Sequence, residues 1–469
     1  MSSTSKGYGN MNIFLAGLLP SLLMLQGCDS SSSPSSISRG PGATLVSSQC
    51  LGGKWNDMTL PVRGGHATAG LTRTSDGGLL LVGGTTSNDG QVSGNHGKSD
   101  VWVVKLDASN NIQWQRALGG TGNDVGFSGV QTKDGNYVIL GVTDSADGDV
   151  KGIHPVLAST KGIRTAQDAW VVKLDPSGQN ILWQRCIGGR AIDTAGALLE
   201  GSDGSLVIAG ETSSHDGDFK SNHGMGDAWV AKVSADGTLA WAQTYGGSGR
   251  DFASSLAFTA DGGLLVLGYT ESATQNGSAC GYQGEGDALL LRLDTTGKML
   301  WSKCYGGSRK DQGSSIVRTS TGFLVAAQTS STDGHSTGNA YNLSSWLARI
   351  DEAGNVQVSK SFGGTGVQLV HNVIETSAGG LAFVGASDSK DGDIWGGARG
   401  GLDVWFGVLS ADWNLKLSKT YGGKRADLGI ALVETQPGKY SVAGFTSSTD
   451  GDVSGNHGLN DIWLMQLSE

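Results

Sequence analysis

Hydrophobic and polar positions along the chain follow a long repeat. An acid, one residue and then Trp or Leu lead into an apolar run, as in Asp100-Val101-Trp102-Val103-Val104-Lys105-Leu106. Successive copies begin 57 to 68 residues apart, at Asp100, Asp168, Asp227, Asp287, Ser344, Asp403 and Asp461. A Gly-Gly pair recurs with the same spacing. A period of this length indicates one supersecondary unit stacked repeatedly, because a single unit cannot bury its own apolar face.

Each repeat is predicted to contain four short strands. In the second copy they are residues 125–132, 137–143, 169–174 and 181–187, separated by turn signals such as Asp134-Gly135. No stretch shows a helical stripe of apolar residues with a 3.6-residue period. Seven repeats of four strands predict an all-β fold, a seven-bladed β-propeller. Ten of the 13 Trp residues are periodic. We interpret them as packing residues between blades, with sugar stacking as the alternative.

The two ends of the chain are predicted to close the ring. The last repeat ends with its third strand, and residues 58–62 precede the pair Gly64/Gly65 as a strand without partners. Pairing this N-terminal strand with the C-terminal blade would remove two exposed sheet edges. We therefore assign residues 53–469 to the propeller.

The N-terminal residues predict that the protein is exported and attached to a membrane. Residues 13–25 form an apolar run that is too short to span a bilayer but is typical of a signal peptide. The run ends in Leu25-Gln26-Gly27-Cys28, which resembles the lipobox of bacterial lipoproteins. The resemblance implies a signal peptide over residues 1–27, with Cys28 bearing acyl chains such as palmitate. Residues 28–52 would be the lipid anchor and a serine-rich tether. The alternative is a secretory signal with an incidental Cys.

The lipobox-like N-terminus implies a bacterial cell-envelope protein, anchored in the outer membrane or on the periplasmic face of the inner membrane. The chain has 33 Lys and Arg against 43 Asp and Glu, a formal charge of −10. Such acidity disfavours nucleic acid and anionic lipid surfaces as partners. Cys280 and Cys304 flank one predicted blade edge, and the sequence leaves open whether they form a disulfide or two buried thiols.

Acidic loops between second and third strands are candidate calcium sites. Oxygen-bearing side chains recur at loop positions 1, 3, 5, 7 and 12 with Gly at position 6, a set that suits Ca²⁺. The spacing resembles an EF-hand loop, and calcium loops between strands occur in the integrin α-subunit propeller. The candidate ligands are Asp450, Asp452, Ser454, Asn456 and Asp461 in blade seven and Asp89, Ser93, Asn95 and Asp100 in blade one. The alternative is that these residues form ordinary Asx turns.

A second acidic set follows the Gly-Gly pairs by four residues: Asp124, Asp193, Asp251, Asp311 and Asp427. Blade one has Ala69 at this position and blade six has Gln368. The carboxylates either line the mouth of the central channel, where they would bind cations or a polyol, or accept hydrogen bonds from N–H groups of their own turns. His371 lies three residues after Gln368 and breaks the repeat pattern, which makes it a further candidate at the channel mouth.

Catalytic signatures are absent from the sequence, which contains no G-x-S-x-G, H-E-x-x-H or P-loop motif. Residues 175–183 resemble the tryptophan-docking repeat of quinoprotein dehydrogenases. Residues 261–272 are similar to segments of bacterial proteins of the seven-bladed β-propeller repeat class, a resemblance that implies fold and not activity. We therefore expect a non-catalytic binding or scaffolding lipoprotein with a protein or glycan ligand on its acidic loop face. The alternative is a polysaccharide-active hydrolase or lyase, which would need two carboxylates at a defined separation.

Overall fold

The computed structural model describes residues 43–58, 70–155, 167–335 and 343–469. In these ranges every regular element is a β-strand, and none is a helix long and apolar enough to cross a membrane. The strands form seven antiparallel sheets, which are the blades of a propeller. A separate two-stranded hairpin, Thr274–Gln275 with Ser278–Ala279, lies between the second and third strands of blade four. The predicted all-β, seven-bladed fold is confirmed.

The innermost strands contact one another around a closed ring. In blade one this strand has two pieces, both paired with the same second strand. The innermost strands are Asp57–Met58 with Leu71–Arg73, Asp124–Gln131, Asp193–Glu200, Asp251–Phe258, Asp311–Thr319, Gln368–Glu375 and Asp427–Gln436.

The second and third strands form the buried middle of each blade. The second strands are Leu79–Thr85, Tyr137–Thr143, Leu206–Thr212, Leu264–Thr270, Gly322–Thr329, Leu381–Ser387 and Lys439–Thr446. The third strands are Asp100–Leu106, Asp168–Leu174, Asp227–Val233, Asp287–Leu293, Ser344–Ile350, Asp403–Leu409 and Asp461–Ser468. The outer strands are Ile112–Leu118, Ile181–Ile187, Leu239–Tyr245, Met299–Tyr305, Val356–Phe362, Leu415–Tyr421 and Thr44–Leu51.

An N-terminal strand closes the ring, as predicted, but it is not the predicted segment. Thr44–Leu51 pairs antiparallel with Asp461–Ser468 and forms the outer strand of blade seven. Met58 instead pairs with Gly84 inside blade one, so the assignment of residues 58–62 to the closing strand is wrong. The rest of that segment and the pair Gly64/Gly65 lie outside the described residues. The pair Gly52/Gly53 occupies the repeat position, and the closing strand therefore ends just before it.

Tryptophans of the third strands pack between neighbouring blades. Trp170 of blade two lies in one apolar cluster with Leu80 and Val82 of blade one. Trp102 of blade one packs in the same way against Ala443 of blade seven, so the ring also closes through its core. Each such side chain buries about 200 Å² and contributes on the order of 5 kcal/mol of transfer free energy. The interpretation of these residues as inter-blade packing agrees with the structure.

Outer-strand tryptophans meet glycine turns of the next blade. The ring of Trp114 lies against Gly178, which has a φ of 71°. A side chain at Gly178 would put its Cβ 2.7 Å from that ring, so the turn needs glycine both for its positive φ and for the close approach. The run from Asp175 to Trp183 is therefore a packing motif in this protein. Cys280 and Cys304 form a disulfide, while Cys50 and Cys186 are free and buried.

Candidate functional site

The loops that connect second to third strands and fourth to first strands lie on one face, which we call the loop face. At six of the seven blade junctions on this face, the acid that begins the innermost strand is buried in its turn. Asp124 is fully buried, and its Oδ2 accepts hydrogen bonds from Gly120 N at 2.9 Å and Ser145 Oγ at 2.7 Å. Its Oδ1 accepts a hydrogen bond from Thr143 Oγ1. The carboxylate therefore stabilises the turn that leads into its strand.

The other acids of this set are buried to the same degree: Asp193, Asp251, Asp311 and Asp427. Blade one also has such an acid, Asp57, whose Oδ2 accepts from Gly53 N at 2.6 Å and Ser87 Oγ at 2.7 Å. The assignment of Ala69 to this position is wrong, because Gly52/Gly53 and not Gly64/Gly65 is the Gly-Gly pair of blade one, and Asp57 follows it by four residues. Ala69 itself lies outside the described residues. The set thus has six acids, and Gln368 takes the seventh place.

In six blades, the acid that begins the third strand is buried beside the loop that precedes it. Asp100 Oδ2 accepts from the backbone N of His96 at 3.1 Å and lies 2.6 Å from His96 Nδ1. The same His–Asp pair forms in three other blades: His154 with Asp168, His223 with Asp227 and His457 with Asp461. In blades four and six a backbone N–H alone reaches the acid, from Gln283 to Asp287 and from Arg399 to Asp403. Among the described residues, the second oxygen of these six acids has no hydrogen-bond partner.

The two acidic sets meet in pairs across the blade junctions. A Cβ on Gly119 would lie 2.8 Å from Asp100 Oδ1 and 2.5 Å from Asp124 Oδ2, so the first glycine of the Gly-Gly pair separates the two carboxyls. Five further glycines separate acid pairs in the same way: Gly52, Gly188, Gly246, Gly306 and Gly422. Burial, and then the charge of Asp124, raise the pKa of Asp100 to about 6.

One junction has lost both acids. Between blades five and six, Ser344 replaces the third-strand acid and Gln368 replaces the innermost-strand acid. Two buried carboxyls destabilise each other when both are ionised, and each makes the other harder to ionise. Because the two carboxyls at a junction interact, we expect both to be present or both to be absent. The junction with Ser344 and Gln368 lacks both.

The predicted calcium ligands of blade seven hold separate partners. Asp450 Oδ1 accepts from Lys424 N at 2.9 Å, and Asp452 Oδ2 lies 2.7 Å from Arg399 Nη1. Asn456 Oδ1 accepts from Gly458 N at 2.9 Å, and its Nδ2 donates to carbonyls of the second-strand end. The carbonyl oxygen of Ser454 accepts from Cys50 Sγ. Asp461 is fully buried beside His457.

Blade one repeats this arrangement. Asp89 Oδ1 accepts from Lys54 N at 2.7 Å, Asn95 Oδ1 accepts from Gly97 N at 2.9 Å, and Ser93 Oγ accepts from Gln115. Asp100 is bonded to His96 below the loop. Within the described ranges, no three or more His, Cys, Asp or Glu side chains are grouped as a metal site. Calcium binding by these loops stays a prediction.

His371 is part of the core between two blades. It is 2% exposed, and its Nδ1 lies 2.7 Å from the carbonyl oxygen of Gly429 in the innermost strand of blade seven. Burial lowers the pKa of the imidazole, which favours its neutral form. The side chain therefore joins blades six and seven from the inside and does not face a ligand at the surface.

The residues just before the two acidic sets form a second feature of the loop face, which we call the central rim. These residues bridge neighbouring blades at the end of the innermost strands: Asn56 with Asn460, Ser99 with Asn123, Gln167 with Ile192, Gly226 with Arg250 and Gly286 with Lys310. The last two junctions are bridged at Leu343 and Leu402, whose carbonyl oxygens accept from the strands that follow. Most of these side chains are half-buried. The rim thus carries amides over blades seven to two, bases in blades four and five, and apolar groups over blades five to seven.

The basic part of the rim contains two cations on either side of an aromatic pair. We call it the ionic cluster: Glu211, Arg250, Phe252, Tyr269, Glu271 and Lys310. Arg250 Nε and Nη2 donate to the two carboxylate oxygens of Glu211 at 2.7 and 2.8 Å, and its Cζ lies 5.1 Å from the centroid of Phe252. Phe252 stacks on Tyr269 with ring centroids 5.2 Å apart. Lys310 Nζ lies 4.9 Å from the Tyr269 centroid, and Tyr269 Oη donates to Glu271 Oε1 at 2.9 Å.

Sequence reasoning missed the ionic cluster although the repeat contained a signal for it. The residue before the innermost-strand acid or its replacement reads Asn56, Asn123, Ile192, Arg250, Lys310, Val367 and Ala426 around the ring. Only two of these residues are bases, and they occur in consecutive blades. An alignment of the seven repeats would have shown two basic residues at this position in neighbouring blades and so would have identified the cluster.

Comparisons with known proteins show no family for this chain. No protein-family model matches the chain. The chain is 25% identical over 205 residues to the regulatory protein FlaEY of Caulobacter vibrioides, and this match covers 41% of the chain and 20% of FlaEY. The chain thus spans about a fifth of the length of this relative.

Three solved structures to which the chain is similar are remote. The β-propeller domain of the Trilobed protease from Pyrococcus furiosus has a TM-score of 0.42 at 9% identity, covering 84% of this chain and 92% of that domain. Drosophila Plexin A, in complex with Semaphorin 1b, has a TM-score of 0.40 at 9% identity, with 92% and 88% covered. The quinohemoprotein alcohol dehydrogenase ADHIIG of Pseudomonas putida HK5 has 0.38 at 10% identity, with 84% and 65% covered. All three TM-scores are below 0.5, so we draw no functional conclusion from them.

Proposed function

We propose that this protein is a lipid-anchored component of the bacterial cell envelope that binds a ligand on its loop face without transforming it. One observation carries the proposal. The predicted reactive groups, the innermost-strand acids and His371, are buried and bonded to the fold, whereas the central rim presents half-buried amide, basic and apolar groups. Convergent polar groups on a rigid ring suit recognition. The similarity to a protein described as regulatory also supports a non-catalytic role.

The anchor in this proposal is Cys28, which lies outside the described residues. The described chain begins at Ala43, directly before the outer strand of blade seven. The tether would therefore join the propeller at that blade, on its outer edge. A serine-rich tether would let the loop face reach a ligand in the envelope at variable distance from the membrane.

Calcium in the blade-seven loop is a further part of the proposal. Asp450 and Asp452 would have to exchange Lys424 and Arg399 for the ion, since a cation and these bases compete for the same oxygens. Asp450 is 40% exposed and can make this exchange. Asp461 would stay with His457, so the ion would need carbonyl or water oxygens to complete its coordination.

The experiment that tests the binding role measures binding and turnover together. The full chain in detergent is titrated with polygalacturonate, dextran and soluble peptidoglycan fragments by biolayer interferometry, and reducing ends are counted in the same samples. We expect at least one probe to bind without any rise in reducing ends. A time-dependent rise in reducing ends would overturn the non-catalytic role, and an absence of binding to all probes would overturn the glycan ligand.

A matched pair of variants locates the binding surface. The rim variant Asn56→Ala with Asn123→Ala removes two amides of the central rim. The control variant Thr238→Ala with Thr295→Ala removes two exposed hydroxyls from turns on the opposite face. Loss of binding in the rim variant alone is the expected result. Equal loss in both variants would show that the loop face is not the binding surface.

A further inference from the structure

We infer that the ionic cluster is a carboxylate-binding site centred on Lys310. This inference rests on the proposed function, because it assigns a ligand chemistry to one part of the central rim. The ammonium group is the unusual feature. Lys310 is half-buried, and burial lowers the pKa of its amine. Within the described residues, Lys310 Nζ contacts the Tyr269 ring, and the charges of Glu271 and Arg250 act on it from a distance without an ion pair or a hydrogen bond.

The neighbouring acids are engaged elsewhere. Glu211 receives two hydrogen bonds from Arg250, and Glu271 receives one from the hydroxyl of Tyr269. Glu271 still favours the charged form of Lys310 from a distance. The amine therefore remains a cation with three N–H donors and no direct acceptor. A charged group that is partly desolvated without partners gains most from an incoming acceptor.

The position of Lys310 is set by packing that holds it at the rim. Its backbone bridges Gly286 of blade four, and Asp311 N donates to the Gly286 carbonyl at 2.7 Å. The Tyr269 ring lies under the ammonium at 4.9 Å and is 1% exposed, so the ring cannot follow a moving side chain. Gly286 lies directly against the Tyr269 hydroxyl, where a larger residue would displace the ring. A cation held over an aromatic face in this way is oriented before a ligand arrives.

The charge balance selects the ligand class. Glu211 neutralises Arg250 through two bonds, and Glu271 partly offsets Lys310. The cluster is therefore formally neutral, and Lys310 has the one positive charge in it that no direct contact neutralises. A monovalent carboxylate brings one negative charge to this site, whereas a phosphate dianion brings two and is repelled more strongly by Glu271. The carboxylate can come from a uronic acid of a glycan or from the end of a peptide, and the test separates these two sources.

The test measures acylation of Lys310 in the full chain. An N-hydroxysuccinimide ester labels amines at pH 8, and peptide mass spectrometry follows each lysine. The probes are sodium D-galacturonate, N-acetylglycine, methyl galactoside and inorganic phosphate, all at equal ionic strength. We expect a carboxylate probe to slow labelling of Lys310 by about threefold, while the exposed Lys98 is unaffected. The stronger of the two carboxylates identifies the source.

Variants separate a binding role from a packing role. Lys310→Met should abolish the rise in melting temperature that the carboxylate causes, whereas Lys310→Arg should retain part of it because the positive charge remains. Lys98→Met on the same face should retain all of it. The inference is overturned if no carboxylate protects Lys310, if methyl galactoside or phosphate protects it better, or if Lys98→Met loses the effect equally. Polysaccharide binding that depends on Asn56 and Asn123 but not on Lys310 would leave the proposed function standing and remove this site.

Discussion

Replacing Asp287 with Asn should stabilise the protein at neutral pH. Asp287 begins the third strand of blade four and is fully buried. Its Oδ2 accepts only the backbone N–H of Gln283, and its Oδ1 has no partner among the described residues. No histidine contacts it, unlike the equivalent acids of blades one, two, three and seven. Burial, followed by the charge of Asp311, raises its pKa from 3.8 to about 6. The ionised form is therefore disfavoured in the folded state.

The magnitude follows from the shift. Between pH 4 and pH 6 the folded protein keeps a proton that the unfolded chain releases, so the free energy of unfolding falls as the pH rises. A shift of about two units corresponds to about 3 kcal/mol at pH 7.5, at roughly 1.4 kcal/mol per unit. Asn has the same shape and stays neutral. The amide oxygen of Asn can still accept the Gln283 N–H, as Asp287 Oδ2 does. We expect a gain of about 1–3 kcal/mol at pH 7.5 and little change at pH 4.5.

Urea denaturation followed by tryptophan fluorescence at the two pH values measures both quantities. The matched control is Asp311→Asn at the same junction. Asp311 Oδ2 accepts from Gly307 N at 2.8 Å and Ser331 Oγ at 2.7 Å, so loss of an acceptor should leave Asp311→Asn less stable than Asp287→Asn by about 1–3 kcal/mol at both pH values. The reasoning is refuted if Asp287→Asn lowers stability at pH 7.5, or if its pH dependence equals that of the unaltered protein.

Three further predictions concern closure, anchoring and calcium. Leu51→Ala should destabilise the protein by about 2–5 kcal/mol, because Leu51 is 1% exposed in the core between blades seven and one. Val46→Ala on the same strand, where Val46 is 63% exposed, should cost less than about 0.5 kcal/mol; equal urea midpoints would contradict this role of the closing strand. Cys28→Ser should move the protein from the membrane fraction to the soluble fraction, and unchanged fractionation would exclude the lipid anchor. Calcium at a hundredfold excess over Kd should stabilise the protein by about 2.7 kcal/mol. Asp452→Ala should remove most of that effect. The change Asp218→Ala in the equivalent blade-three loop should remove less of it, because Lys220 already places a positive charge in that loop. Melting curves indifferent to calcium and chelator would leave these loops as Asx turns.

The repeat and the blade could be predicted from the sequence because both depend on local spacing. Apolar runs, Asp-Gly turns and a Trp in six of the seven third strands recur with one period along the chain. The buried role of Trp102 and its equivalents follows from that period. The sequence also predicted that an N-terminal strand closes the ring, because the last blade has only three strands of its own and needs a fourth.

The choice of closing strand needed a criterion that the glycine pattern does not contain. Gly64/Gly65 and Gly52/Gly53 look alike as pairs, but only Gly52/Gly53 has an acid four residues later, Asp57, whose carboxylate accepts the Gly53 N–H. The run Cys50-Leu51-Gly52-Gly53 also matches Cys186-Ile187-Gly188-Gly189. The position of Asp57 in the sequence therefore distinguishes Gly52/Gly53 from Gly64/Gly65, because the turn needs this carboxylate as a hydrogen-bond acceptor.

The central rim was decided by tertiary structure alone. Arg250 meets Glu211 from 39 positions earlier, and Lys310 meets Tyr269 from 41 positions earlier, because bridges between blades bring these strand ends together. A sequence shows which residues differ from the equivalent residues of the other repeats. It does not show which deviations face each other, because that depends on the rotation from one blade to the next and on which side chains remain unpaired once the ring has closed.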